Sequence, residues 1–158
     1  MVDYKVVIPT AGIGGRLMDL TNHVNKALVS IGNKPVISYI IDRMPENVPI
    51  LVPLGYKGDT VREYLELVHN NRELEFCKVE PYEGEGSGLG RTLLECKDLL
   101  QCPFIFCSSD TIVLEEIPAP NYNWMGYCEV DDPSPYRSIR IAADGNVEEI
   151  CSKGAMGP

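Results

Sequence analysis

Short runs of β-branched and aromatic residues alternate with helix-spaced segments from Val6 to Cys107, and this alternation restricts the fold more than any other feature of the chain. Val6-Val7-Ile8 suits a strand buried on both faces and is stopped by Pro9. Residues 35–44 place Val36, Ile37, Ile40, Ile41 and Met44 at helical spacing, with Pro35 expected in the first turn and Pro45 ending the helix. Ile50-Leu51-Val52 reads as a second strand. Asp59 or Thr60 is expected to cap the next helix, whose face carries Val61, Tyr64, Leu65 and Val68. Residues 74–79 make a third strand, residues 91–100 a helix, and residues 104–107 a fourth strand. Strand and helix in strict succession imply an α/β fold with a largely parallel sheet. Beyond Asp110, residues 124–130 read as a strand, and residues 138–141 and 147–150 flank Asp144-Gly145, a hairpin signal.

The loop after the first strand, Ala11-Gly12-Ile13-Gly14-Gly15-Arg16, is the strongest chemical signal. Glycines let backbone N–H groups close around phosphate oxygens, and Arg16 adds a planar positive fork. A dinucleotide fingerprint needs a third glycine where Leu17 stands, and a Walker loop needs a Gly-Lys-Ser/Thr that is missing. The same residues would also serve as a plain tight turn. A second glycine-rich stretch, residues 83–90, precedes the third helix. Asp110 ends the fourth strand, where ligands of open α/β sheets collect; a strand-end cap is the structural alternative.

Taken in order, the loop with Leu17, then Lys26-Ala27-Leu28, then Lys34-Pro35, resembles the signature of sugar-phosphate nucleotidyltransferases. Asn25 stands where that family usually has proline, a change expected to loosen the turn while sparing the lysine. Gly15 replaces a common Thr or Ser. Ser87-Gly88-Leu89-Gly90 resembles the family's base-reading loop, and Asp110 its magnesium-binding aspartate. The resemblance implies a Rossmann-like three-layer sandwich with a mostly parallel central sheet, here followed by a C-terminal β-hairpin. It implies roles for Arg16 and Lys26 on the phosphates, Asp110 on Mg²⁺, and Ala11, Gly12, Gly14, Gly15, Ser87 and Gly88 around the nucleotide. Lys153, in Cys151-Ser152-Lys153-Gly154, resembles a later lysine that would contact the acceptor phosphate, without the glutamate and proline that usually flank it.

Such a protein would couple a nucleoside triphosphate to a sugar 1-phosphate or related phosphate ester and release pyrophosphate. Two alternatives stay open: a non-catalytic nucleotide-binding module, and a structural α/β domain whose glycine loops are only turns. With 158 residues, positions 1–158 are expected to form one nucleotide-binding domain lacking the family's C-terminal acceptor-binding part. The net charge of −9, with no basic run, argues against nucleic acid as partner. No apolar run is long enough for a membrane span, and the N-terminus does not read as a signal peptide. Six cysteines without a C-x-x-C pair fit free thiols in the cytoplasm. The base, the acceptor and the oligomeric state, a homo-oligomer included, are left open. His23 reads as an exposed loop residue, and His69 as a residue near a helix end where an imidazolium favours the dipole.

Overall fold

The computed structural model describes residues 4–153, except for the side chain of Arg16. The sheet forms as the β-branched runs predict. β1 (Lys5–Val7) lies between β4 (Ile50–Leu54) and β6 (Phe104–Phe106), and β5 (Leu74–Lys78) pairs with the far side of β4; every pairing is parallel. Val6, Val7 and Ile8 are fully buried, as the centre of a parallel sheet requires. Past the end of β1 the chain stays against β4: Ile8 N donates to Leu51 O at 2.9 Å and Thr10 N to Pro53 O at 3.0 Å.

Side-chain alternation divides the helices between the two faces. Val7, Leu51 and Cys77 point one way, and against them pack Leu93 and Cys96, at the end of α3 (Leu89–Glu95). Lys5 leaves the same face to bridge Glu75 at 2.8 Å. The other face carries Phe76, whose ring lies under Arg62 of α2 (Gly58–Val68). Helix α1 (Val36–Asp42) joins α2 there through Ser38, which is 2.7 Å from the Tyr64 hydroxyl and 2.8 Å from His69 Nε2. The result is three layers, with the chain running from β1 through β4 to β5, then returning through α3 to β6 on the other side of β1. No described helix is long and apolar enough to cross a membrane.

Local expectations fare unevenly. Pro35 is the residue before α1, paired in a short antiparallel ladder between β2 (Ser30–Ile31) and β3 (Lys34–Pro35), rather than part of the first helical turn. Helix α2 is preceded by Lys57 in a left-handed conformation (φ 49°), so Asp59 and Thr60 lie within the helix and neither caps it. The helix begins at Gly58, which packs so closely on Leu54 that a Cβ there would come within 2.9 Å of the leucine Cβ. Val61 and Leu65 are buried, whereas Val68 is 49% exposed. His69 is buried against Ser38, and desolvation, helped by Arg72 and Lys34 and opposed by Asp42, pushes its pKa below 6.5. Burial therefore favours the neutral ring, where the helix end alone would favour the imidazolium.

A smaller compact unit begins at Trp124. Its hairpin pairs β7 (Ile139–Ile141) with β8 (Val147–Ile150), and Gly145 takes φ 85° in the turn. Residues 124–130 are not a strand. Their aromatic and β-branched content suits one, but no ladder partner lies beside them among the described elements, and a strand exists only when paired. All six cysteines are free.

One glycine holds the edge of the larger unit together. A Cβ on Gly55 would stand 2.6 Å from Ala11 O and 2.7 Å from Tyr82 Cβ, so only glycine lets the segment after β4 touch the loops after β1 and β5. Gly55→Ala is expected to cost about 1–3 kcal/mol of stability in urea unfolding. Leu65→Ala should cost about 2–5 kcal/mol, while Val68→Ala should change the midpoint by less than about 0.5 kcal/mol. The depressed His69 pKa gives a pH signature with a definite sign. Its contribution is complete above the ordinary value of 6.5 and declines as acid forces a proton onto the buried ring. Unfolding curves from about pH 7.5 down to about pH 5 should show stability falling toward acid, with a shallower slope in His69→Gln.

Candidate active site

The carboxyl ends of β1, β5 and β6 open onto a cleft of about 370 Å³, within the size range of small-molecule sites. It lies where the strand order reverses around β1, the place where open α/β sheets bind ligands. Pro9, Ala11 and Gly12 contribute from the loop after β1, Lys26 from a short 3₁₀ turn (Lys26–Leu28), and Tyr82 from the segment after β5. Gly88, Leu89 and Thr92 contribute from the start of α3, and Phe106, Ser108 and Asp110 from the end of β6.

Two of the charged residues singled out from the sequence meet here. Lys26 Nζ lies 3.1 Å from Asp110 Oδ2, and the Ser108 hydroxyl donates to the other carboxylate oxygen. Partial burial works against ionising Asp110, but the Ser108 hydrogen bond and the Lys26 ammonium outweigh it and hold its pKa below the ordinary carboxylate value. Asp110 thus stands in the cleft as a hard, ionised oxygen donor beside a cation. That pairing can neutralise phosphate and share a divalent ion with it.

The glycine loop divides its labour. A Cβ on Gly12 or Gly88 would meet nothing within 4 Å, so both leave open space at the cleft for a ligand to approach the backbone. Gly14 lies outside the lining; it takes φ 68°, and a Cβ there would press on Lys26 Cβ at 3.0 Å. Its bareness makes room for the lysine stem. Gly15 begins a 3₁₀ segment (Gly15–Thr21) and is exposed. Ser87 is turned back into its own loop, its hydroxyl donating to Gly84 O at 2.7 Å. The side chain of Arg16 lies outside the described residues. Lys153 belongs to the smaller unit and is exposed.

Asn25 departs from what its substitution for proline implied. It is fully buried; its amide donates to Thr10 O at 2.8 Å and Tyr56 O at 2.6 Å, and its oxygen accepts from Ala27 N at 2.9 Å. The turn before Lys26 is tied, not loosened. Sequence reading also passed over Tyr56, which closes the other end of the loop: its N donates to Ala11 O at 2.9 Å and its hydroxyl to Thr21 O at 2.8 Å. Tyr82, Thr92 and Ser108 were missed as lining residues. Only the neighbouring glycines and Asp110 marked their places.

Comparison with known proteins gives the arrangement its context. A profile of the nucleotidyl transferase family matches residues 5–117. The bifunctional protein GlmU of Methanococcus vannielii is 27% identical over 93% of this chain, which spans 34% of that protein. A probable glucose-1-phosphate cytidylyltransferase of Bacillus subtilis is 38% identical over 45% of this chain and 30% of its own length. The CTP:phosphocholine cytidylyltransferase of Streptococcus pneumoniae superposes with a TM-score of 0.72 at 22% identity, over 94% of this chain and 64% of that one, and shares the fold. The chain spans about a third of the length of the GlmU relatives it matches. With the family profile running through both glycine-rich segments and Asp110, the chain belongs to the nucleotidyl transferase family.

Proposed function

We propose that this chain is the nucleotide-binding domain of a nucleotidyltransferase, which joins a nucleoside triphosphate to a sugar 1-phosphate or similar phosphate ester and releases pyrophosphate. The observation that carries this reading is the meeting of Lys26 and Asp110 in a cleft walled by both glycine-rich segments. A structural domain whose glycines were mere turns has no need of an ion pair facing an open cleft.

An acceptor phosphate oxygen attacks the α-phosphorus, a new P–O bond forms, and the bond to the bridging oxygen breaks as pyrophosphate leaves with the electron pair. The nucleophile is already ionised at neutral pH, so no general base is needed; alignment and charge neutralisation supply the rate. Lys26 is assigned to the phosphates undergoing exchange and Arg16 to the departing pyrophosphate. Ala11, Gly12 and Gly88 offer backbone to the nucleotide at the cleft, while Gly14, Gly15 and Ser87 shape the loops behind them. Lys153 keeps its assignment to the acceptor phosphate on the sequence resemblance alone. Residues 1–158 are read as one nucleotide-binding domain, working on the cytoplasmic triphosphate pool.

Asp110 fits magnesium as a single protein ligand, being an ionised oxygen donor at the cleft. Among the described residues no group of three or more acidic, histidine or cysteine side chains forms an all-protein cage, so phosphate oxygens and water would complete the shell. When bound, the ion would neutralise triphosphate charge.

The same cleft, open enough to hold a triphosphate beside Lys26 and Asp110, also fits a second reading, a module that binds triphosphate without turning it over. Calorimetry with the common triphosphates and Mg²⁺, followed by pyrophosphate release over a panel of sugar 1-phosphates and phosphocholine, separates the two. The transferase reading expects heat and release, with Asp110→Asn lowering release by about 100-fold or more. Binding without release for every acceptor supports the module. Undiminished release in Asp110→Asn removes Asp110 from the mechanism.

A further inference from the structure

The buried carboxamide before Lys26 has no explanation in the chemistry above, because it faces protein rather than cleft. We infer that Asn25 is a positioning residue that fixes the backbone at Lys26 so that its amine stays on Asp110. The placement rests on the structure alone; its effect on turnover rests on the transferase reading.

Asn25 makes three hydrogen bonds to three separate pieces of chain: to Thr10 O after β1, to Tyr56 O after β4, and from Ala27 N inside the turn that carries Lys26. Both amide hydrogens are spent on carbonyls, and the oxygen caps the 3₁₀ turn at its N-terminus. Thr10, Asn25 and Ala27 are fully buried, so the bonds to Thr10 O and from Ala27 N have no water to stand in for the amide and resist breakage. The backbone at Asn25 has φ −64° and ψ 143°, the conformation a proline ring would impose by itself. The amide therefore reaches by contacts the geometry that a ring reaches covalently, and anchors it to two strand ends as well. From that point the lysine stem runs past Gly14, which has no side chain to deflect it, to Asp110.

A residue that merely staples loops would loosen everything nearby when removed. A positioning residue would release Lys26 selectively. Competitive labelling of lysines with an amine reagent, read by peptide mass spectrometry on the full chain, tells these apart, with Lys5 as internal control. Lys5 is also held in an ion pair, at 2.8 Å from Glu75, and its side chain is as hidden as that of Lys26, at 21% against 20% exposed. In Asn25→Ala the Lys26 labelling rate should rise roughly tenfold, to the rate in Asp110→Asn, with Lys5 unchanged. Asn25→Pro should keep Lys26 within about twofold of the parent rate, since the ring restores φ. Should the alanine variant not fold, Asn25→Ser replaces it, keeping a capping oxygen while losing the two amide N–H groups that reach Thr10 O and Tyr56 O.

Lys26 labelling at the parent rate in a folded Ala or Ser variant overturns the inference, as does a parallel rise at Lys5. Pyrophosphate release provides the separate arm: kcat in Asn25→Ala should drop about tenfold or more. If labelling responds but the parent chain releases no pyrophosphate with any acceptor, the transferase reading fails and the positioning role stands. If the parent turns over and labelling is unmoved, only the positioning role fails.

Discussion

The central strand is the constraint on which the rest depends. β1 is only three residues long, yet it is paired in parallel on both sides, and its apolar residues are sealed from water. Parallel pairing forces all strands to end at the same edge, so the segments after β1, β4, β5 and β6 must emerge side by side. The chain then changes direction around β1, sending α1 and α2 to one face and α3 to the other, which parts the loops and leaves a cleft between them. Chemistry collects there because the topology gives polar loops nowhere else to meet.

Within that edge, distant pieces of sequence become one site through a few polar contacts. Lys26 and Asp110 are separated by 84 positions yet share an ion pair. Asn25 and Tyr56 span almost as diverse a set of segments, each bonding to backbone on either side of the glycine loop. Backbone carbonyls buried at a strand end must find donors; the Asn25 amide supplies one to Thr10 O, while the Tyr56 hydroxyl serves Thr21 O beyond the glycine loop. The glycine loop therefore owes its shape to residues outside it as much as to its own freedom of conformation.

What could be read from the sequence follows from the range of the forces involved. The strands of the main sheet were legible because β-branched runs bounded by proline and glycine carry their own pattern. Asp110 and the glycine loop were legible because their chemistry sits at strand ends. Residues 124–130 misled because composition records the wish to be a strand and not the presence of a neighbour. His69 misled because its burial, the main cause of its lowered pKa, is completed by packing against Ser38, 31 positions upstream. The start of α2 was misplaced because no side chain caps it: the chain enters at Gly58 from a left-handed Lys57, which no capping pattern records. For Asn25, the resemblance to a proline-bearing family drew attention to what was lost, while the three bonds gained depend on carbonyls that only the folded chain brings near.

The bare backbone of Gly55 has a mechanical corollary. By lying directly against Ala11 and Tyr82, it makes two walls of the cleft, one from the segment after β1 and the other from the segment after β5, bear on a common fulcrum. A side chain at Gly55 would have to push one of those walls aside, so the width of the cleft at this end is set by the absence of a single methyl group.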